Sequence, residues 1–326
     1  MATESDNSNN FWRVGTYDKQ FWDNYLAARP RYQLSDFYQN LYTYHDAHSG
    51  DYGVAHDIGT GPGQVAHVLA SKFDKVIASD TNEPHLVAAR QHHGEKPNIE
   101  YILSAGEEIS NKVEPGSCDA VYVAEAIPLM DKEKAMSSFG QILKPNGTLG
   151  IWFYGRPFFA DGDREACSAA YSALVNIKVA KMLEKVPAPF KMGLKHGYDT
   201  MASQLDDVAF PADTWSNVER HKWNMHAKMV FSDQEAMPDM PIVASSKVDE
   251  TQEKVIQHKD EKFWGESWDA TQVHNFIKAI IPVNQDELEE DPEIKKLVAE
   301  LQEAMGGEGS KRSISWPVIL LLATKK

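Results

Sequence analysis

The residues of this chain best suited to chemistry sit in one short run, Asp57-Ile58-Gly59-Thr60-Gly61-Pro62-Gly63, followed by a second acid, Asp80. Glycine has no Cβ, so glycines at 59, 61 and 63 let the backbone approach a ligand closely and adopt positive φ where a side chain would forbid it. The spacing is not that of a GxGxxG dinucleotide fingerprint, because the third glycine falls only two residues after the second. An acid inside the turn is also poorly placed for a diphosphate, but well placed for the cationic end of a ligand. Asp80 closes the apolar run Ile77-Ala78-Ser79, where a carboxylate can accept both hydroxyl protons of a ribose. These residues suit a ribose-bearing cofactor with a positively charged end.

To present such a turn, a strand must end at Ile58 and a helix must open after Gly63. The apolar runs Val54–Ile58, 75–79, 99–103, 120–124 and 148–153 predict strands, and the periodic stretches 64–71, 84–91 and 132–142 predict helices between them. That alternation is the pattern of an α/β fold with a parallel sheet and crossover helices. Lys144-Pro145-Asn146-Gly147 predicts the turn into the fifth strand. Residues 218–223 and 314–323 predict two further strands. Apolar positions Ala166, Ala170, Leu174 and Ile177 predict helix beyond Gly155. Pro238 and Pro241 mark a long loop over 233–249, and 268–281 predicts a second cap helix. The expected organisation is a tail over 1–20, a cofactor-binding core over 21–159, a helical cap insertion over 160–206, and 207–326 completing the sheet around a long insertion.

Composition narrows the function. With 326 residues, 42% of them hydrophobic, the chain can bury a large core and carry a second lobe. Its two cysteines, Cys118 and Cys167, form no CxxC pair and no zinc spacing, so packed thiols in a reducing compartment are expected. No H-x-x-x-H run suggests a metal. A net charge of −15 repels phosphates, so no nucleic-acid partner is expected. No window approaches the roughly 18 to 20 apolar residues of a membrane span. The first ten residues carry neither a basic region nor an apolar stretch and read as a disordered tail. The expectation is a cytoplasmic monomer or homodimer acting on a small molecule.

The glycine turn, Asp80 and the five-strand rhythm together closely resemble motifs I and II of class I S-adenosylmethionine-dependent methyltransferases, over residues 21–155. The resemblance implies a Rossmann-like, seven-stranded, mostly parallel sheet with helices on both faces and a mainly helical cap. It implies S-adenosylmethionine as cofactor, with Asp57, Gly59, Gly61 and Gly63 around the methionine portion and Asp80 with Thr81 at the ribose. Ala105, Gly106 and Glu107 would line the adenine, and Glu125 and Ala126 would lie beneath the methyl group. Tyr25-Leu26-Ala27-Ala28-Arg29-Pro30-Arg31-Tyr32 is similar to the Y-x3-R-P-x-Y leader of the fungal trans-aconitate methyltransferase group, as is the 144–152 turn and strand. In that group the leader folds over the cofactor. Tyr25, Arg29 and Glu125 are thus the catalytic candidates, Tyr25 also touching the cofactor. Arg29, Tyr32, Ile127, Pro128, Arg156, Phe158 and Trp268 are the acceptor-side candidates.

One departure from the group bears on the acceptor. Where it carries an E-x-x-H-W pattern after the fourth strand, this chain has Glu125-Ala126-Ile127-Pro128-Leu129. The imidazole that could serve as a base is missing. A carboxylate acceptor is already ionised at neutral pH and needs no base, and the planar forks of Arg29, Arg31 and Arg156 suit one. Carboxyl O-methylation of a small organic acid is the expected reaction. The alternatives are O-, N- or S-methylation of a phenolic or xenobiotic molecule with a base from the cap, and a regulator that binds the cofactor without catalysis.

Overall fold

The computed structural model describes residues 19–31, 36–48, 50–93, 96–281, 283 and 285–326. Two helices, α1 (Lys19–Ala28) and α2 (Phe37–His48), precede the first strand. Then follow β1 (Val54–Ile58), α3 (Gln64–Leu69), β2 (Lys75–Asp80), α4 (Glu83–His93), β3 (Ile99–Leu103), β4 (Cys118–Ala124), α5 (Lys132–Ile142) and β5 (Leu143–Tyr154). The strands form where apolar side chains run continuously, as burial on both faces requires; Val121, Tyr122 and Val123 of β4 are fully buried. Lys144 to Gly147 does not separate α5 from the strand. β5 begins at Leu143, Asn146 takes φ +65°, and the register against β4 shifts between Cys118 and Ala120.

Beyond the core come β6 (Phe158–Phe159), α6 (Arg164–Lys185), α7 (Ala188–Ala202), β7 (Trp215–Trp223), β8 (Lys254–His258), β9 (Glu266–Asp269), α8 (Ala270–Ile280), α9 (Gln285–Glu290), α10 (Pro292–Ala304), β10 (Lys311–Ser315) and β11 (Val318–Lys325). The sheet order is β3-β2-β1-β4-β5-β11-β7-β8. β11 is antiparallel to both neighbours, and the remaining pairs are parallel. The Rossmann-like sheet therefore has eight strands rather than seven. The extra one, β8, is a short, largely exposed edge strand whose polar sequence hid it. The run 314–323 is two strands, because Pro317 has no N–H to donate and the chain changes sheets there. β10 joins β6 and β9 in a small antiparallel sheet, so the lobe over the core is not wholly helical.

A buried cation ties the far side of the sheet together. Arg220 on β7 is fully buried. It donates to the Leu205 carbonyl at 3.0 Å, to the Val208 carbonyl at 2.7 Å, and to the Glu253 carboxylate just before β8. Removing one partner of such a pair strands the other charge in low dielectric. Arg220→Met is expected to cost about 3–5 kcal/mol of unfolding free energy in denaturant titration, with a loss of under about 1 kcal/mol as the contrary result.

Candidate active site

Strand order reverses between β1 and β4, and ligands of open α/β sheets bind at the carboxyl ends on either side of such a reversal. Here those ends open into a cavity of about 1,090 Å³. Small-molecule sites typically span roughly 300–1,000 Å³, so this one has room for a cofactor and an acceptor together. Gly59, Gly61, Asp80, Thr81, Ala105, Gly106, Glu107, Glu125, Ala126 and Pro128 line it from the sheet side, with Tyr25 and Arg29 from the leader.

The turn after β1 has little freedom. Gly59 sits at φ +72°, and a Cβ there would stand 2.6 Å from the Ala126 Cβ. At Gly61, φ +53°, a Cβ would meet nothing within 4 Å, because the backbone there faces open space. Gly63 caps the start of α3 at φ +85° and does not line the cavity. Neither does Asp57, whose expected approach to a ligand is corrected. Its Oδ2 accepts from Thr60 Oγ1 at 2.6 Å and from the Ala66 N–H at 2.9 Å, bracing the turn from inside. Oδ1 is buried without a hydrogen-bond partner among the described residues. Burial pushes Asp57 up to about 7, against the pull of those two bonds.

Asp80 is held at the end of β2 by the Gly61 N–H on Oδ2 and the Asn82 N–H on Oδ1, both at 3.0 Å. His85 Nδ1 stands 3.1 Å from Oδ1, and its ring meets the Trp22 ring edge-on at 4.9 Å. Trp22 and His85 both line the cavity. Across from them, a Cβ on Gly106 would lie 3.0 Å from Met130 Sδ and 3.1 Å from Ile58 Cγ2, tight enough that these side chains would have to shift to admit one. Glu107 Oε1 accepts from the Asp131 N–H at 2.9 Å.

The floor is the loop after β4. Glu125 adopts φ +59° and its Oε1 accepts from the Tyr154 N–H at 2.8 Å. Burial holds it well above the usual carboxylate range, with Arg29 and that bond pulling the other way. Arg29 Nη1 donates to Tyr154 Oη at 2.6 Å and Nη2 to the Ala279 carbonyl at 3.1 Å, with the guanidinium 4.6 Å from the Tyr25 ring centre. Its Nε is buried without a hydrogen-bond partner among the described residues.

The remaining acceptor-side expectations fare unevenly. Tyr32 lies outside the described residues. Ile127 is fully buried and is not part of the cavity wall, unlike its neighbour Pro128. Arg156, Phe158 and Trp268 stand away from the cavity, because the chain after β5 turns off into the small sheet. Arg156 pairs with Asp233 at 3.2 Å and lies 4.6 Å over the Tyr171 ring. Phe158 packs on His226 at 5.0 Å, and Trp268 on Trp316 at 5.1 Å. The cap wall comes instead from Val175, Val179 and Met182 of α6, Met192, His196 and Tyr198 of α7, and Phe231. The i, i+4, i+7 spacing of the α6 trio signals a helix face, but not what it faces. Among the described residues, no group of three His, Cys, Asp or Glu could hold a metal ion, and no helix is long and apolar enough to cross a membrane.

The Asp57 carboxyl lies at about 7 in the folded chain and near 3.8 when free. The folded state therefore binds its proton more tightly. Its contribution is full below about pH 4 and is lost as pH rises through about 7, a change of about 4 kcal/mol. Asp57→Asn is expected to flatten the fall in unfolding free energy between about pH 4 and 7; a slope matching that of the natural chain would contradict this.

Comparison with known proteins agrees with this geometry. The family profile for a methyltransferase domain matches residues 56–151. Methyltransferase pgmE of Aspergillus terreus is 41% identical over 334 residues, covering 99% of this chain and 98% of that protein. Methyltransferase cfoB of Aspergillus candidus is 36% identical over the full length of both. Methyltransferase ptaI of Pestalotiopsis fici is 34% identical, covering 94% of this chain and 93% of that one. A solved structure from Anaeromyxobacter dehalogenans, assigned to the type II methyltransferases, superposes with a TM-score of 0.52 at 15% identity, covering 87% of this chain and 94% of that one, and so shares the fold. The chain belongs to the methyltransferase family of these fungal proteins and is an enzyme that uses S-adenosylmethionine.

Proposed function

We propose that the enzyme methylates a hydroxyl oxygen on a small, largely apolar, ring-bearing acceptor. The observation that carries this reading is the character of the cap wall: Val175, Val179, Met182, Met192, Phe231 and Ile281 supply an apolar surface. The forks that would suit a carboxylate are engaged elsewhere. Arg29 is committed to Tyr154 and Ala279, and Arg156 to Asp233. A carboxylate acceptor keeps one point in its favour, the ammonium groups of Lys132, Lys195 and Lys247 at the cavity wall.

S-adenosylmethionine fits the other half of the cavity. Gly61 leaves open space where a side chain would intrude, and Asp80 offers a preset carboxylate for the ribose hydroxyls. In this reading the methionine ammonium sits against Glu125 and offsets the burial that otherwise keeps its carboxyl protonated, and the Arg29 Nε, without a partner among the described residues, faces the methionine carboxylate. Tyr25 then closes over them, the role its likeness to the trans-aconitate methyltransferase leader suggests. When bound, S-adenosylmethionine supplies an electrophilic methyl group on a sulfonium. The protein contributes alignment, worth roughly 7–11 kcal/mol for well-oriented reactants, and an apolar cover that keeps water from competing.

Methyl-labelled S-adenosylmethionine, incubated with a panel of hydroxylated mono-, bi- and tricyclic aromatics, carboxylic acids, amines and thiols, tests the acceptor class. Methyl ethers are expected; methyl esters alone would return the carboxylate reading. On the cofactor side, Asp80→Ala is expected to weaken S-adenosylmethionine binding about 10- to 100-fold by calorimetry, the loss of charge-assisted hydrogen bonds worth about 1.5–3 kcal/mol. An unchanged affinity would remove Asp80 from the ribose site.

A further inference from the structure

A hydroxyl acceptor must lose a proton on transfer, and a phenol with a pKa near 10 reacts poorly without a group to take it. The loop after β4 holds no imidazole, because Ile127-Pro128-Leu129 fills it. A different element supplies one. α7 lies across that same loop, close enough that a Cβ on Gly197 would stand 3.7 Å from the Pro128 carbonyl. The residue before that glycine is His196, whose ring lines the cavity and whose Nε2 is 3.2 Å from the Met130 carbonyl.

The Met130 carbonyl can only accept, and a proton on Nε2 that meets it leaves Nδ1 its lone pair. Lys132 Nζ, 3.0 Å from the same Nε2, can only donate and pulls toward the opposite tautomer, although two of its three protons meet the Thr200 hydroxyl at 2.7 Å and the Asp207 carboxylate at 3.1 Å. Several other titratable groups on the cavity wall are engaged. His85 faces Asp80 on the ribose side, and Tyr198 Oη pairs with Ser232 Oγ at 2.8 Å. Asp199 is bound to Lys195 and to the Val243 N–H, and Glu125 to the Tyr154 N–H.

We propose that His196 is the general base for methyl transfer, an assignment that rests on the hydroxyl reading above. As the acceptor oxygen forms its bond to the methyl carbon, its proton passes to His196 Nδ1. The carbon–sulfur bond breaks and its electron pair stays on sulfur. The products are the methyl ether, neutral S-adenosylhomocysteine and an imidazolium. Because His196 is exposed at the cavity mouth, it returns the proton to water.

The test combines His196→Gln with ¹⁵N spectroscopy of the histidine rings in the complete protein. With an aromatic hydroxyl acceptor, His196→Gln is expected to lower kcat about 100-fold or more, within the usual range for a general base. The acid limb of the kcat–pH profile should disappear, while the S-adenosylmethionine dissociation constant stays within about twofold. Added imidazole should partly restore His196→Ala. The resting ring should show the Nε2-protonated tautomer. A kcat within threefold (~) of the natural enzyme, a retained acid limb, or a ring protonated on Nδ1 would each overturn the assignment. If the natural enzyme forms ethers that the variant forms equally well, only this inference falls. If the natural enzyme methylates no hydroxyl, the functional reading falls with it.

Discussion

Everything in the site follows from one constraint, the near contact between the turn after β1 and the loop after β4. At a strand-order reversal these two connections leave in opposite directions, yet here they converge until no Cβ fits between Gly59 and Ala126. That approach needs glycine in a left-handed conformation on one side. On the other it comes with Glu125 at φ +59°, a strained position for a non-glycine residue held by the Tyr154 N–H. The turn itself is held from beneath by Asp57, a carboxyl so thoroughly buried that its ionisation works against the fold. The residue that opens the glycine motif thus belongs to the scaffold of the cavity, and the glycines themselves to its surface.

Around that junction the cavity divides by chemistry. The sheet side carries carboxylates and bare backbone, suited to a sugar and a zwitterion. The cap side carries aliphatic, methionine and aromatic side chains. Arg29 connects the two, reaching from the end of α1 to Tyr154 at the end of β5 and to the last turn of α8. A guanidinium that bridges three elements through Nη1 and Nη2 keeps only Nε for the methionine carboxylate and none for a second one, and this shifts the reading of the acceptor from acid toward hydroxyl. Arg29 and Arg156, which sequence alone nominated for substrate, are structural for the same reason: each found carboxylate, carbonyl or hydroxyl partners within the chain.

The core was legible because its signals are local. A glycine turn between an apolar run and a helix, with an acid ending the next run, specifies strand, turn and helix within about thirty residues. Five core strands and the place of Asp80 at the end of the second could therefore be read directly. Edge strand β8 could not, since a polar, exposed strand has no periodic apolar signal. Nor could Arg156, Phe158 and Trp268 be placed, because sequence does not reveal that Phe158 and Trp268 join a second sheet or that Arg156 pairs with Asp233. The cap wall was hidden for a related reason. Val175, Val179 and Met182 read as an ordinary helix face, and only the packing of α6 over the strand ends turns that face toward a ligand. His196 had no sequence signal at all, since its partner is a main-chain carbonyl 66 residues away.

The measurement that bears most directly on this account compares the binding of S-adenosylhomocysteine with that of 5′-methylthioadenosine, which keeps the nucleoside and lacks the amino-acid end. If Arg29 and Glu125 read a zwitterion at the cavity floor, the truncated ligand should bind at least about 100-fold more weakly, a difference of about 2.7 kcal/mol. Glu125→Gln should erase much of that difference. Equal affinities for the two ligands would mean that the floor does not recognise the methionine end, and would contradict the division of the cavity described above.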